Sequence, residues 1–263
     1  MQEISKSNEK VKELKNLKNK GKNNLMVVEG LDVIKEAINY NAEIMSVFYN
    51  EETLRDEALE LLNECKKRAK EVYRISLKTF ESLKEKENAI PIIIVVKYKE
   101  LTLKDIDKNK HKLIIVNDRI ELPGNLGTIY RSAYASGVDL IINVNPVTTI
   151  YKEKFLASSR GTIFSIPTIN TTYEEAQKSL LELGYDICLC EPVEGTSYNE
   201  FDYQENTALV IGNERFGINK EWYNNKNSKV FIPMKEGINS INVSVAGSII
   251  MFDAGIKMRK IWN

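Results

Sequence analysis

At 263 residues the chain has room for two ordinary domains or one large one, and its 43% hydrophobic and 28% charged content is typical of a soluble globular protein. No apolar run approaches the ~20 residues that span a bilayer, and the start, Met1-Gln2-Glu3-Ile4-Ser5-Lys6, lacks the apolar stretch of a signal peptide, so a cytoplasmic protein is expected. Lysine plus arginine and aspartate plus glutamate balance at 37 each, which removes a global basic signal for nucleic acid and leaves only local patches.

In chain order, residues 1–20 carry Val11, Leu14 and Leu17 at helical spacing. The first 22 residues also hold seven lysines and three glutamates. A solvated helix is the commoner reading of such a run, and an RNA contact through Lys15, Lys18, Lys20 and Lys22 is the functional one. A strand is expected over 25–28. After Gly30 comes a helix whose inner face is Leu31, Val33, Ile34, Ala37 and Ile38. A strand over 44–49 follows, then a helix over 53–70 with Leu54, Ala58, Leu61, Leu62 and Cys65 inward. Next are a strand over 72–75, a short helix capped by Ser76 or Thr79, and a long apolar strand over 90–96. These elements make a small α/β unit over 1–97. The charged stretch 98–111 has few apolar residues and is expected to be a linker.

The remainder, 112–263, alternates again. Strands are expected over 113–116, 139–142, 185–190, 208–211 and 229–232, with helices between them. Their nearly continuous apolar character and the alternation point to a parallel open sheet covered on both faces, an α/β fold. Cys65, Cys188 and Cys190 are the three cysteines, an odd count without a framework, which fits a reducing compartment. Cys188 and Cys190 lie at strand period, which reads as one face of a buried strand rather than a metal site. The single histidine, His111, cannot build a histidine cluster, and no metal is expected.

Three loops carry the chemistry. The strand ending at Val116 runs into a polar loop with Pro123 and Gly124, and ligands in open α/β sheets bind at such carboxyl ends. Asn125 is placed to cap the following helix. Arg131, beside Ile129, Tyr130 and Ala133, is open to either a carboxylate partner or a functional role. The loop is no dinucleotide fingerprint, and a P-loop is absent. Farther on, Ile211-Gly212-Asn213-Glu214 and residues 232–244 each begin apolar and end in small polar residues. Main-chain groups at two adjacent strand ends can hold a flat nucleoside by its edges. The second of these segments runs into a helix with Ser244, Ala246, Gly247 and Ser248 in its first turns.

Pro123-Gly124-Asn125-Leu126-Gly127 with Arg131, then Gly212-Asn213-Glu214 with Gly217, then Ile232-Pro233-Met234 with Ser240-Ile241-Asn242-Val243-Ser244, resemble in order and spacing the three motifs of the SpoU (TrmH) family. That family comprises S-adenosylmethionine-dependent RNA ribose 2'-O-methyltransferases of the SPOUT class. Residues 27–37 are similar to the ribosomal-protein-like RNA-binding domain often fused ahead of it. The resemblance implies a Rossmann-like parallel sheet with a deep trefoil knot, a rare exception to unknotted topology. It also implies S-adenosyl-L-methionine as cofactor, an RNA substrate, and a homodimer with its active site near the subunit interface. Gly212, Ile232 and Ile241 would offer main-chain groups to the cofactor. Asn125 and Arg131 would stand at the methyl-transfer site, and Glu214, Ser240 and Asn242 would complete the pocket. The Ser159-Arg160-Gly161 step looks like the branch that methylates 23S ribosomal RNA and confers thiopeptide resistance, which implies an RNA-binding Arg160 at the active site, a surface phosphate contact being the alternative. One departure is Arg215-Phe216, where small residues are usual. A transfer-RNA ribose methyltransferase of the same family is the nearest alternative. A non-catalytic RNA-binding module on the same scaffold is another; it would lack Asn125, Arg131 or Ser240-Ile241-Asn242, and all are present.

Overall fold

The computed structural model describes residues 3–18, 20–85 and 89–259. Of the helix expected over 1–20, Met1, Gln2 and Asn19 lie outside the described residues. The chain forms two compact units, Met1–Lys99 with Ile150–Ser165, and Glu100–Thr149 with Ile166–Asn263.

The first unit contains α1 (Glu9–Leu17), β1 (Leu25–Glu29), α2 (Leu31–Asn39), β2 (Glu43–Tyr49), α3 (Asp56–Arg68), β3 (Glu71–Arg74), α4 (Leu77–Glu81) and β4 (Ile92–Lys97). Asn8 starts α1 by accepting the Lys10 N–H at 2.9 Å, and Ser76 starts α4 by accepting that of Thr79 at 3.1 Å. The sheet order is β1-β4-β2-β3, with β4 antiparallel to both neighbours and β2 parallel to β3. Val11 and Leu14 of α1 bury against Phe48, Ile75, Phe80 and Ile93, as their helical spacing requires.

The rest of the chain contributes β5 (Leu113–Asp118), α5 (Pro123–Ala135), β6 (Leu140–Val144), α6 (Glu153–Ser159), β7 (Thr168–Thr171), α7 (Tyr173–Glu182), β8 (Asp186–Glu191), β9 (Thr196–Ser197), β10 (Thr207–Ile211), β11 (Ser228–Phe231) and α8 (Val243–Arg259). Residues 150–165, with α6, fold on the first unit. There Gly161 has φ +84°, and an added Cβ would come 2.7 Å from Glu36 Cβ, so only glycine fits.

The second unit is a seven-stranded sheet in the order β7-β6-β5-β10-β8-β11-β9, parallel at every pairing. Every residue of β5, β6 and β10 is buried, which explains their largely apolar character, broken by Asn117, Asp118, Asn143 and Thr207. The fold is therefore α/β with a parallel sheet. Two features differ from the sequence expectation. First, β7, Thr168-Ile169-Asn170-Thr171, is too short and polar to announce itself. Second, the stretch 98–111 is not a free connector: Leu101 bridges to Ile169, and Leu101, Leu103 and Ile106 pack on the core of this unit.

Three asparagines stand opposite one another on β5, β6 and β7. Asn117 Nδ2 donates to Asn143 Oδ1, and Asn143 Nδ2 donates to Asn170 Oδ1 and to the Tyr130 hydroxyl, each at 2.9 Å. Burial pushes the Tyr130 phenol up to about 12, so it stays protonated and anchors α5 to the sheet. Asn143→Ala would strand the buried Asn117 amide and remove one of the partners of the Tyr130 hydroxyl, which keeps Thr168. The expected loss is about 1–3 kcal/mol, read as a lower urea midpoint with an unchanged slope.

Candidate active site

The site is built where β5 and β10, neighbours in the sheet, both end. Beyond Ile211 the chain reverses so sharply that Asn213 and Gly217 exchange two main-chain hydrogen bonds of 3.0 Å. The buried Asn213 side chain holds this turn. Its Oδ1 accepts the N–H groups of Arg215 (2.9 Å) and Phe216 (3.0 Å), and its Nδ2 donates to the Arg119 carbonyl (2.8 Å) and Glu121 Oε1 (3.2 Å). Asp118, fully buried at the end of β5, accepts the Asn219 N–H at 2.6 Å. The loops after the two strands are thus stitched together. Gly212 is compulsory here, because an added Cβ would lie 2.3 Å from both the Gly217 carbonyl carbon and the Ile218 nitrogen.

Helix α5 starts at Pro123, not at Asn125, because proline is suited to the first helical position. Asn125 is therefore no cap. Its side chain is free to reach out of the first turn, and its Nδ2 donates to Glu214 Oε1 at 2.9 Å. Glu214 also accepts the N–H groups of Glu121 (2.9 Å) and Leu122 (3.2 Å). Asn125 Oδ1 in turn accepts Asn242 Nδ2 at 3.2 Å. Asn242 Oδ1 caps α8 by accepting the Ser244 N–H (2.9 Å) and hydroxyl (2.6 Å). Glu214, Asn125 and Asn242, from three distant segments, thus form one hydrogen-bonded chain. Burial pushes the Glu214 carboxyl up, but the donors from Glu121, Asn125 and Leu122 outweigh it, and its pKa falls below the ordinary value. The group is a carboxylate clamp at neutral pH and a poor proton acceptor.

This chain borders an open cleft of about 770 Å³, lined also by Gly212, Ile232, Ser240 and Ile241, with Ile211, Met234 and Ile250 supplying apolar surface. That size suits a small organic ligand. Among the described residues, the main chain of Gly212 and of Ile241 makes no internal hydrogen bond, so both keep groups for a ligand. A shallow apolar floor edged by unpaired main-chain donors and acceptors fits a nucleoside such as the adenosyl part of S-adenosylmethionine. The small residues of α8 serve packing: an added Cβ on Gly247 would meet Ile211 at 3.3 Å, and the Ser248 hydroxyl lies 2.7 Å from that of Ser132 on α5.

The structure thus brings together Asn125, Gly212, Glu214, Ile232, Ser240, Ile241 and Asn242. Arg131 is exposed on α5, outside the cleft lining, and pairs with no carboxylate among the described residues. Arg160 belongs to the first unit, in left-handed conformation (φ 49°), with its guanidinium 3.9 Å from Asp32. Lys15, Lys20 and Lys22 are exposed. Lys18 is not: its side chain is 11% exposed, pairs with Glu29 at 3.2 Å and Glu85 at 3.7 Å, and donates to the Leu83 carbonyl, so it is an internal cation rather than an RNA contact. Burial pushes the Glu29 carboxyl up and Lys18 opposes it, so removing Lys18 would leave an uncompensated buried acid. Cys190 borders the cleft with its thiol pushed up by burial, and no group of three metal-ligating side chains occurs among the described residues. Asn213 stands in the Gly212-Asn213-Glu214 motif without a role assigned from sequence, although an asparagine next to Gly212 just after a strand is a turn signal. No sequence signal placed Glu191 and Tyr223 at the cleft.

The SpoU rRNA Methylase family model matches residues 112–252, and the MRM3-like substrate binding domain model matches residues 8–93. The 23S rRNA (guanosine(2553)-2'-O)-methyltransferase RlmP of Bacillus subtilis is 27% identical over 251 residues, 94% of this chain and 96% of that protein. The SpoU methyltransferase AviRb of Streptomyces viridochromogenes, solved in complex with the cofactor AdoMet, is similar with a TM-score of 0.83 at 26% identity over 94% of this chain and 97% of that one. An rRNA methyltransferase from Sinorhizobium meliloti shares the fold, with a TM-score of 0.87 at 22% identity over 100% and 99% of the two chains. With a family model spanning more than half its length, and with that model's region holding the whole of the cleft described above, the chain belongs to the SpoU rRNA methylase family.

Proposed function

We propose that the protein transfers a methyl group from S-adenosylmethionine to a ribose 2'-hydroxyl of ribosomal RNA, of the 23S class. The observation that carries this is the single cleft at which the main chain of Gly212 and Ile241 meets the Asn125–Glu214–Asn242 chain. The family membership and the naming of RlmP as a 23S rRNA 2'-O-methyltransferase support the substrate.

Bound in this cleft, S-adenosylmethionine supplies an electrophilic methyl on a sulfonium. Gly212, Ile232 and Ile241 would hold its adenine and ribose through main-chain groups. What the protein must add is alignment of the incoming hydroxyl, which supplies up to ~7–11 kcal/mol in ideal cases. Asn125 and Asn242 are fixed for that by their mutual hydrogen bond. Glu214 positions Asn125 and the 121–122 main chain; it takes no proton. Arg131 acts through its fork of donors on a phosphate or on the developing alkoxide. The hydroxyl proton then leaves to an RNA phosphate or to water.

The proposal includes an RNA-binding role for the first unit, a trefoil knot formed by the tail that carries α8, a homodimer and a cytoplasmic setting. The MRM3-like substrate binding match supports the first of these. The packing of α8 back onto α5, β5 and β10 supports the second. Exposed Tyr134 on α5 and Val245 and Ile256 on α8 supply apolar surface for a second copy. Three free cysteines, and no helix among the described residues long and apolar enough to cross a membrane, fit the last.

The deciding experiment incubates the protein with labelled S-adenosylmethionine and either naked 23S RNA or bulk transfer RNA. Label in a ribose of the first supports the proposal. Label confined to the second assigns the transfer-RNA activity, and binding without transfer assigns a non-catalytic module. Neutralising Lys15, Lys20 and Lys22 to glutamine is expected to flatten the salt dependence of RNA binding by up to ~0.7–0.9 per lysine, without touching cofactor affinity. An unchanged slope removes these lysines from the interface. By contrast, Lys18→Gln lowers the melting temperature, because it breaks a buried pair.

A further inference from the structure

The turn Glu214-Arg215-Phe216-Gly217 carries two large side chains where small ones are usual, and the structure turns both outward. The side chain of Arg215 and the residue Phe216 are each 75% exposed. The backbone beneath them is locked. Asn213 Oδ1 holds the N–H of both residues, and Gly217 closes the turn on Asn213 at 3.0 Å. Both side chains border the cleft, and Arg215 Nε stands 3.4 Å from Glu121 Oε2. A phenyl ring held in water by a rigid turn forgoes the stabilisation that burial gives it. The arrangement is accounted for if something flat covers the ring in the working complex.

We propose that Phe216 is a specificity-determining residue that stacks on a nucleobase of the RNA, at or next to the methylated nucleotide, with Arg215 beside it to meet the adjoining phosphate. The inference rests on the methyl-transfer reading of the cleft, because the ribose must reach that cleft and its base or a neighbour then passes the rim. An aromatic face with a cation next to it matches the chemistry of a single-stranded nucleotide, a π-face followed by an anion. Stacking is sequence-tolerant, whereas the position of the ring selects which nucleotide can be splayed out.

The test uses the full chain and three variants, Phe216→Ala, Phe216→Tyr and Phe216→Trp, with a 23S RNA transcript as substrate. The alanine variant is expected to raise KM for RNA by roughly 5- to 100-fold, with the loss falling on KM rather than kcat. Its cofactor affinity by calorimetry and its solution mass should match those of the parent. The tyrosine variant should restore KM, and RNA should quench the fluorescence of the tryptophan variant. An alanine variant with the parent's KM overturns the proposal. So does one whose mass falls, which would make the ring a contact between copies. A parent protein that binds cofactor and methylates no RNA defeats the methyl-transfer reading instead, so the two failures are distinguishable.

Discussion

Replacing Gly212 with alanine is expected to lower the affinity for S-adenosylmethionine by at least ~100-fold, about 2.7 kcal/mol, in a chain that remains folded. The atoms that the new Cβ would meet are main chain, the Gly217 carbonyl carbon and the Ile218 nitrogen, both at 2.3 Å, so no rotamer change relieves the clash. The turn must open. Opening it breaks the Asn213–Gly217 pair and moves Glu214, which carries Asn125 and the 121–122 main chain with it. The damage stays local, because β10 ends one residue earlier and its pairing with β5 is untouched. Circular dichroism checks the fold and calorimetry the binding. An alanine variant that binds within threefold of the parent would remove Gly212 from the cofactor site.

The second large effect is expected at Arg131. Arg131→Ala should reduce kcat by roughly 10²- to 10³-fold, the range found when a donor aimed at developing charge is removed. Cofactor affinity should stay unchanged, since the residue is outside the cleft lining. Arg131→Lys should recover only a small part, because a lysine offers a point charge in place of a planar fork. An exposed arginine with no carboxylate partner among the described residues has little structural role to lose, so melting temperature should hold. Nearly full turnover in the lysine variant would end the bidentate role.

Glu214 shows how a residue's identity and its role can separate. Its place in a motif marks it for the site, and its chemistry alone leaves proton transfer open. Only the converging donors from Glu121, Leu122 and Asn125 show both oxygens already engaged and its pKa lowered. Lys18 makes the same point for charge. It sits in a basic run with Lys15, Lys20 and Lys22, yet it turns inward to Glu29 and Glu85. Helical period around Val11 and Leu14 predicts which apolar residues go inside; it does not say that a neighbouring lysine will follow them to a buried acid.

Local pattern by itself determined the α/β class and the strands β5, β6, β8, β10 and β11 to within a few residues, while the resemblance of three loops to family motifs pointed to the residues that gather at the cleft. Period, propensity and turn chemistry act over a few residues and are written in adjacent letters. Tertiary structure alone decided that β10 lies between β5 and β8, that the 98–111 stretch packs on the second unit, and that residues 150–165 fold on the first. It also decided which atoms meet. The Asn125–Glu214 and Asn125–Asn242 bonds span 89 and 117 positions of chain. Contacts of that reach depend on strand order and on where each strand ends, and no short-range preference encodes either.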